Sequence, residues 1–291
     1  MMKNVKSKAT LGLICVIILI SLVAAWQEQL TKNEGIRIHV IDVGQADCMV
    51  VETPDGNVLI DTGTDFSERD LRGYLRSHGL TRFAYMILSH PHDDHIGNAD
   101  MILREFTVEH MISADTTSQE LVWKNTLQAI NEVSVEKGTD WIKPVSGAVY
   151  YVGKLRLELL MVPEAENEGG NDDSMIVRLD YGDCSMLLTG DAVAESEERL
   201  LGMVPEEKLR VDLLKVAHHG SSGSSSESFL QRVSPRIAVI SCGNGNPFSH
   251  PHEELLNRLR SINADIYRTD LNGTLRFFCD GSTFSLESVR S

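Results

Sequence analysis

An apolar, strand-like stretch at residues 84–89 runs directly into His90-Pro91-His92-Asp93-Asp94-His95, and this H-x-H-x-D-H run constrains the fold more than any other feature. Five side chains able to bind a metal fall within six residues, just past the end of a buried strand. In extended backbone, residues two apart share a face, so His90 and His92 can grip one ion. Asp94 and His95, at the turn into a helix-like stretch that begins at Gly97, can point at a second. The competing reading is a chance surface cluster of histidines.

Other strand-like runs end in the same residue types. Residues 187–191 (LLTGD) deliver Asp191 after an apolar stretch, and 211–217 deliver His218-His219-Gly220-Ser221. The run 236–241 is followed by Ser249-His250-Pro251-His252. Of the 10 histidines in the chain, 7 sit in residues 90–95, 218–219 and 250–252, which argues against scattered surface positions. Imidazole-rich sets with few carboxylates suit zinc, whereas mixed His/Asp sets also take manganese or iron. His39, inside a strand, and His78, at a helix end, read as structural.

From Ile36 onward, short β-rich runs alternate with helical ones. Residues 36–42, 48–52, 58–61 and 84–89 read as strands, and 67–77, 97–105 and 117–131 as helices. After an acidic loop at 164–173, strands at 175–180, 184–188, 211–217 and 236–241 alternate with helices at 195–201, 227–232 and 253–261. Strands at 265–269 and 274–278 close the chain around Asn272-Gly273, read as a hairpin turn. Both halves put strands first, which suits two packed β-sheets with helices outside. The acids at 195–198 read as a solvated helix start, and the Ser/Gly stretch 221–226 as a mobile active-site loop.

Residues 1–30 stand apart. Lys3, Lys6 and Lys8 precede an apolar run of 16 residues, 11–26, which reads as a signal anchor or as a cleaved signal peptide. Lysines ahead of an uncleaved helix place the remainder, 31–291, outside the membrane. That remainder keeps 24 of the 27 basic and 41 of the 42 acidic residues, a net charge of −17 against −15 for the whole chain. Such acidity argues against a broad nucleic-acid-binding face, though divalent ions would reverse the field in one cleft. Four cysteines remain in it, Cys48, Cys184, Cys242 and Cys279. They form no CxxC pair, and three lie in apolar strand-like runs that suit buried thiols better than disulfides.

Over residues 36–287 the sequence resembles the metallo-β-lactamase fold superfamily, through Asp61-Thr62-Gly63, His90–His95, Asp191 and His218-His219. Within it, the chain looks most like the hydrolase domain of ComEC-type DNA-uptake (competence) proteins, through residues 42–47 (DVGQAD), 187–191, 214–221 (LKVAHHGS) and 249–251. Cell-wall phosphorylcholine esterases share the general pattern. The resemblance implies an α/β fold, an αββα metallo-β-lactamase-like sandwich over 31–291, and the apolar run 11–26 puts an N-terminal membrane-anchor helix ahead of it. It also implies two divalent metal ions, zinc or alternatively manganese, with His90 and His92 on the first ion, Asp94 and His95 on the second, and Asp191 between them. His219 is the expected ligand of the adjacent pair, because neighbouring residues at a strand end point to opposite sides; His218 is then a nearby contact. Asp94 and His250 are candidate catalytic groups, with His250 open to three readings: a ligand, a donor to the leaving group, or a cap on the following helix. Asp61 orients a ligand histidine or is a plain turn residue. Asn171 and Ser174 hold substrate oxygens or simply shape a turn. The further histidine found in many members between the H-x-H-x-D-H motif and the bridging Asp has no clear counterpart, His110 being placed on a strand. With a single apolar segment, the chain cannot itself be an uptake channel.

These features imply a metal-dependent hydrolase of phosphodiester bonds acting outside the membrane, either a nuclease or an esterase of small phosphorylcholine-type diesters. β-Lactam hydrolysis is weaker, because fold alone does not set chemistry. A membrane-tethered, non-catalytic binding protein with a vestigial metal site is the reading from a different class. No protein partner is inferable; the substrate and, through the N-terminal helix, the membrane are the expected contacts.

Overall fold

Neighbouring residues in the central strands bury on opposite faces, so those strands are covered on both sides. In β1 (Ile36–Val40), Ile36, Ile38 and Val40 face one apolar cluster while His39 turns away from it. In β2 (Met49–Thr53), Met49 and Val51 join that same cluster and Val50 joins a second one. The computed structural model in which this is seen describes residues 18–21, 35–114, 116–164 and 167–289. Contacts divide the chain into Met1–Gly35 and Ile36–Ser291, and everything below concerns the second unit. The expected anchor helix over 1–30 lies outside the described residues except for 18–21, which are helical. No helix among the described residues is long and apolar enough to cross a membrane.

Two sheets form the centre. The first runs β15 (Phe284–Val289), β14 (Leu275–Cys279), β1, β2, β3 (Gly56–Ile60), β4 (Arg82–Ile87), β5 (Thr107–Ile112) and β6 (Asp140–Ile142). The second runs β13 (Asp265–Arg268), β12 (Ile237–Ile240), β11 (Leu213–Lys215), β10 (Cys184–Leu188), β9 (Ile176–Tyr181), β8 (Leu155–Met161) and β7 (Val149–Val152). Ile38, Val51, Leu157, Val177, Leu213 and Phe277 belong to the core between the sheets. Each contributes about 1.5–3 kcal/mol by leaving water. Helices Glu68–Ser77, Ala99–Glu105 and Leu121–Glu136 cover the outer face of the first sheet. Helices Ala194–Met203, Glu227–Val233 and Glu253–Ser261 cover that of the second. The layering is αββα, as expected. β3, β4 and β5 are parallel, as are β10, β11 and β12, so each set delivers its C-terminal ends to one edge.

Several readings of the sequence are corrected. Asn272-Gly273 is not a hairpin turn: β13 pairs parallel to β12 in the second sheet, and β14 pairs antiparallel to β1 in the first. Asn272 Oδ1 accepts the Arg268 N–H at 3.0 Å, closing a helical turn, Thr269–Asn272, and Gly273 at φ 64° lets the chain change sheets. Cys184 and Cys279 are joined by a disulfide between the two sheets, whereas Cys48 and Cys242 are buried free thiols. Glu197 is not solvated but fully buried, accepting the backbone N–H groups of Ser225 and Ser226. Together with Arg258, which donates to the Ser222 and Ser224 carbonyls, it pins the Ser/Gly stretch; Ser224 and Ser225 are themselves buried. β5 bears out the strand placed around His110, while β6, β7, β8 and β15 add strands beyond those assigned from the sequence. β8 was obscured by Arg156 and Glu158, which pair with each other and with Asp180 and Lys208.

Candidate metal centre

The H-x-H-x-D-H run leaves β4 and turns at Pro91 into the short helix Asp93–Ile96, which buries His95 completely. The His95 Nδ1–H donates to Asp61 Oδ2 at 2.8 Å. Asp61 sits at φ 54°, in the left-handed region that Asp tolerates better than most residues. Its carboxylate also accepts the Ser89 N–H at 2.8 Å and the Ser89 hydroxyl at 2.7 Å. With Nδ1 committed, His95 presents a bare Nε2, 3.1 Å from Asp191 Oδ1. His219 repeats the device: its Nδ1–H donates to the Ser241 carbonyl at 2.9 Å, and Nε2 lies 3.3 Å from Asp94 Oδ2 and 3.7 Å from Asp191 Oδ2.

Asp191 occupies the middle. Its N–H donates to Ser174 Oγ at 3.0 Å. The preceding Gly190 has φ 50°, and a Cβ there would lie 3.0 Å from that of Ser89, so glycine is required for the approach. His90 is buried, with Nδ1 near Ser89 Oγ and Ser174 Oγ and Nε2 3.1 Å from His92 Nδ1. His218 and His219 both lie in left-handed conformation within the turn Ala217–Gly220. The extended-chain argument for opposite orientations therefore fails: His218 Nε2 also comes within 3.7 Å of Asp191 Oδ2, and Asn171 Nδ2 lies 3.3 Å from it. His110 lies on β5, stacked on Tyr85 and 3.6 Å from Asp140.

These residues fit a cation. Asp94, His95, Asp191 and His219 each offer one ligand atom, all within 4.8 Å of one another. His95 Nε2 and Asp191 Oδ1 are buried and face each other at 3.1 Å, so a proton on the imidazole or a cation between them meets the same need. Electrostatics agrees. Burial opposes charge on His95 and His219, yet Asp191 and Asp61 around the first, and Asp191, Asp47 and Asp94 around the second, outweigh it and raise both imidazole pKa values. The cluster is anionic enough to pull protons onto imidazoles, and a divalent ion satisfies the same demand. Burial also opposes the charge on Asp94, but His219 and His95 draw its carboxyl down to about 2. His90 behaves oppositely, kept neutral by burial and by His95.

His250 is not the helix cap, because His252 holds that position. Gln45 accepts the Gly243 N–H through Oε1 at 3.0 Å, which turns its amide N–H toward His250 Nδ1 at 3.2 Å. His250 therefore carries its own proton on Nε2. Burial, then His218 and His252, depress its pKa to about 4. Gln45, Asp47 and Lys215 are the participants that sequence reasoning overlooked. All three lie in the runs 42–47 and 214–221 that carried the resemblance but were given no role there; Lys215 is buried and ion-paired with Asp47 at 2.5 Å. Beside Asp94 opens a cleft of about 650 Å³ whose lining includes Asp42, Asp70, Asp93, Phe66 and Phe248, with no Lys or Arg among the described residues. A second cleft, of about 390 Å³, borders His92.

Comparison with known proteins agrees with this geometry. ComE operon protein 3 of Bacillus subtilis is 32% identical over 265 residues, 84% of this chain and 33% of that protein. Competence protein ComA of Neisseria gonorrhoeae is 29% identical over 263 residues, 90% of this chain and 35% of that protein. The chain thus spans about a third of the length of these curated relatives. The crystal structure of the metallo-beta-lactamase fold protein YhfI from Bacillus subtilis superposes with a TM-score of 0.58 at 13% identity, covering 84% of this chain and all of that one, a likeness of fold. Residues 41–244 match the family described as the metallo-beta-lactamase superfamily, and the chain belongs to it.

Proposed function

We propose that this chain is an exported, metal-dependent phosphodiesterase. The observation that carries the reading is the convergence of His95 Nε2, His219 Nε2 and the Asp191 carboxylate, each imidazole held by a hydrogen bond at its other nitrogen. His90 and His92 would hold one divalent ion, Asp94, His95 and His219 the other, with Asp191 shared. When bound, such ions supply Lewis acidity, lowering the pKa of water and stabilising charge on a phosphoryl oxygen. Asp61 and the Ser241 carbonyl keep the ligand imidazoles in the metal-binding tautomer. Ser174 fixes the Asp191 backbone, and Asn171 extends the polar wall beside His218. His250, neutral at pH 7, offers its Nε2–H to a leaving-group oxygen.

The likeness to competence proteins favours DNA as substrate. The acidic, aromatic cleft beside Asp94 favours a small diester, because further backbone phosphates would face Asp42, Asp70 and Asp93 without a basic partner. The Cys184–Cys279 disulfide supports an oxidising location, in keeping with residues 1–30 as anchor or signal. Full-length protein loaded with zinc or manganese should cleave bis(p-nitrophenyl) phosphate, and single-stranded DNA, double-stranded DNA and choline phosphodiesters should then be ranked against it. Asp191→Ala should abolish turnover. Protein that takes up neither metal and cleaves none of these refutes the proposal.

A further inference from the structure

Lys215 is 2% exposed and Asp47 4%, and both side chains sit behind the ligand histidines. Next to Lys215 in the chain, Leu213, Leu214, Val216 and Ala217 are fully buried. An ion pair in such surroundings is a poor source of stability, because desolvating both charges offsets most of their attraction, and apolar residues of equal volume do as well or better. Its presence calls for another explanation.

Asp47 touches the segments that deliver Asp94 and His95 and the one that leads to His219. Its N–H donates to the Asp94 carbonyl at 2.9 Å, and its carbonyl accepts the Gly63 N–H at 2.7 Å, next to the Asp61 turn. Its Oδ2 meets Lys215 Nζ, on the strand that leads to His219, and Lys215 Nζ also donates to the Val216 carbonyl at 2.8 Å. Asp47 Oδ1, buried and without a hydrogen bond, lies 3.5 Å from His219 Nδ1, and Oδ2 lies 3.9 Å from His95 Nδ1. One residue of the β1–β2 loop therefore lies against both imidazoles that meet at Asp191, and a lysine of the second sheet is paired with it.

We infer that Asp47 and Lys215 are positioning residues of the metal centre, fixing His95, His219 and Asp94 relative to one another; this rests on the metal-centre reading above. The rival explanation is a tie between sheets with no bearing on the ligands. The two are separated with Lys215→Met and Asp47→Asn, alone and combined, in the full-length chain. Folding is read by chemical unfolding, zinc affinity by calorimetry, and ligand geometry by the visible bands of cobalt-substituted protein. Lys215→Met leaves a buried carboxylate unpaired and should unfold more readily. The double variant removes both charges and should recover cooperative unfolding, yet bind zinc at least tenfold more weakly and shift the cobalt bands. A folded double variant with zinc affinity within twofold of wild type and unchanged bands overturns the inference. If the double variant does not fold, Asp47→Glu, which keeps the charge but displaces it by one methylene, is read in the same way, with unchanged affinity and bands again refuting. A wild-type chain that binds no zinc or cobalt refutes the metal-centre reading itself.

Discussion

Replacing Asp61 in two ways separates its two duties. Its carboxylate accepts from the Ser89 N–H, the Ser89 hydroxyl and His95 Nδ1, all between 2.7 and 2.8 Å, while its backbone is left-handed at φ 54°. Asp61→Ala strands the buried Ser89 N–H, at about 1–3 kcal/mol, and places a Cβ-bearing residue without a local polar partner in left-handed backbone, at about 1 kcal/mol more. For a domain of this size, that sum lowers the melting temperature by roughly 5–15 °C. Asparagine tolerates the backbone and can turn its carbonyl oxygen to the Ser89 N–H, so Asp61→Asn should melt within a few degrees of wild type. Its amide nitrogen cannot accept from His95, however, and the imidazole loses the bond that fixes its tautomer. Zinc affinity should then fall about 10- to 100-fold. Calorimetric zinc titration beside thermal unfolding measures both. An Asp61→Asn protein that melts normally and binds zinc as tightly as wild type would show that the left-handed turn, not the carboxylate, is what the site needs.

Further outcomes follow from the same geometry. Reducing the Cys184–Cys279 bond, which spans 95 residues, or replacing both by Ser, should destabilise the domain by about 2–5 kcal/mol, read as a lower urea midpoint. Burial opposes the charge on Glu158, but Lys208 and Arg156 outweigh it and hold its carboxyl below the ordinary value of 4.5. Its contribution is therefore complete above that value and is lost as pH falls through the lower folded pKa, so the stability gap between wild type and Glu158→Gln should shrink below about pH 4.5 and stay flat from 6 to 8. Metal at a hundredfold excess over Kd should stabilise the fold by about 2.7 kcal/mol, raising the melting temperature, and chelator should reverse it; a melting curve insensitive to both contradicts the site. Phe66 is 92% exposed at the cleft rim, so Phe66→Ala should leave stability within about 0.5 kcal/mol and raise KM for an aromatic diester; an unchanged KM excludes the ring from substrate contact.

The candidate ligands were legible because their segments follow apolar strands, and parallel strands deliver their ends to one edge. That argument reached Asp191 and the His218-His219 pair without knowledge of the sheets, whereas Asp61 came through the resemblance and the choice of His219 over His218 rested on an extended-chain argument that the left-handed turn removes. It failed where local chemistry has two outcomes. Asn272-Gly273 closes a helical turn as readily as a hairpin, and the choice depends on β1 offering an edge to residues far downstream. Glu197 looks solvated until the Ser225 and Ser226 N–H groups arrive to be accepted. Cys184 and Cys279 show no proximity in sequence, because the bond joins different sheets. Lys215 was hidden by its neighbours: a single charge in an apolar run carries no sign of the carboxylate that will meet it.

The pairing of β1 with β14 has a consequence for how the chain is made. β1 lies between β2 and β14 in the first sheet, so the earliest strand of the domain waits for one of the last. At typical elongation rates, the roughly 240 residues between Ile36 and Cys279 take about 12–50 s to emerge, during which one edge of β1 has no native neighbour. Until then the nascent domain presents an open strand edge, the feature that templates aggregation. A chain with this layout depends on chaperone cover, or on export before folding, to a degree that an N-terminally closed sheet would not, and pulse proteolysis of stalled nascent chains should show protection of residues 36–60 only once residue 279 has left the ribosome.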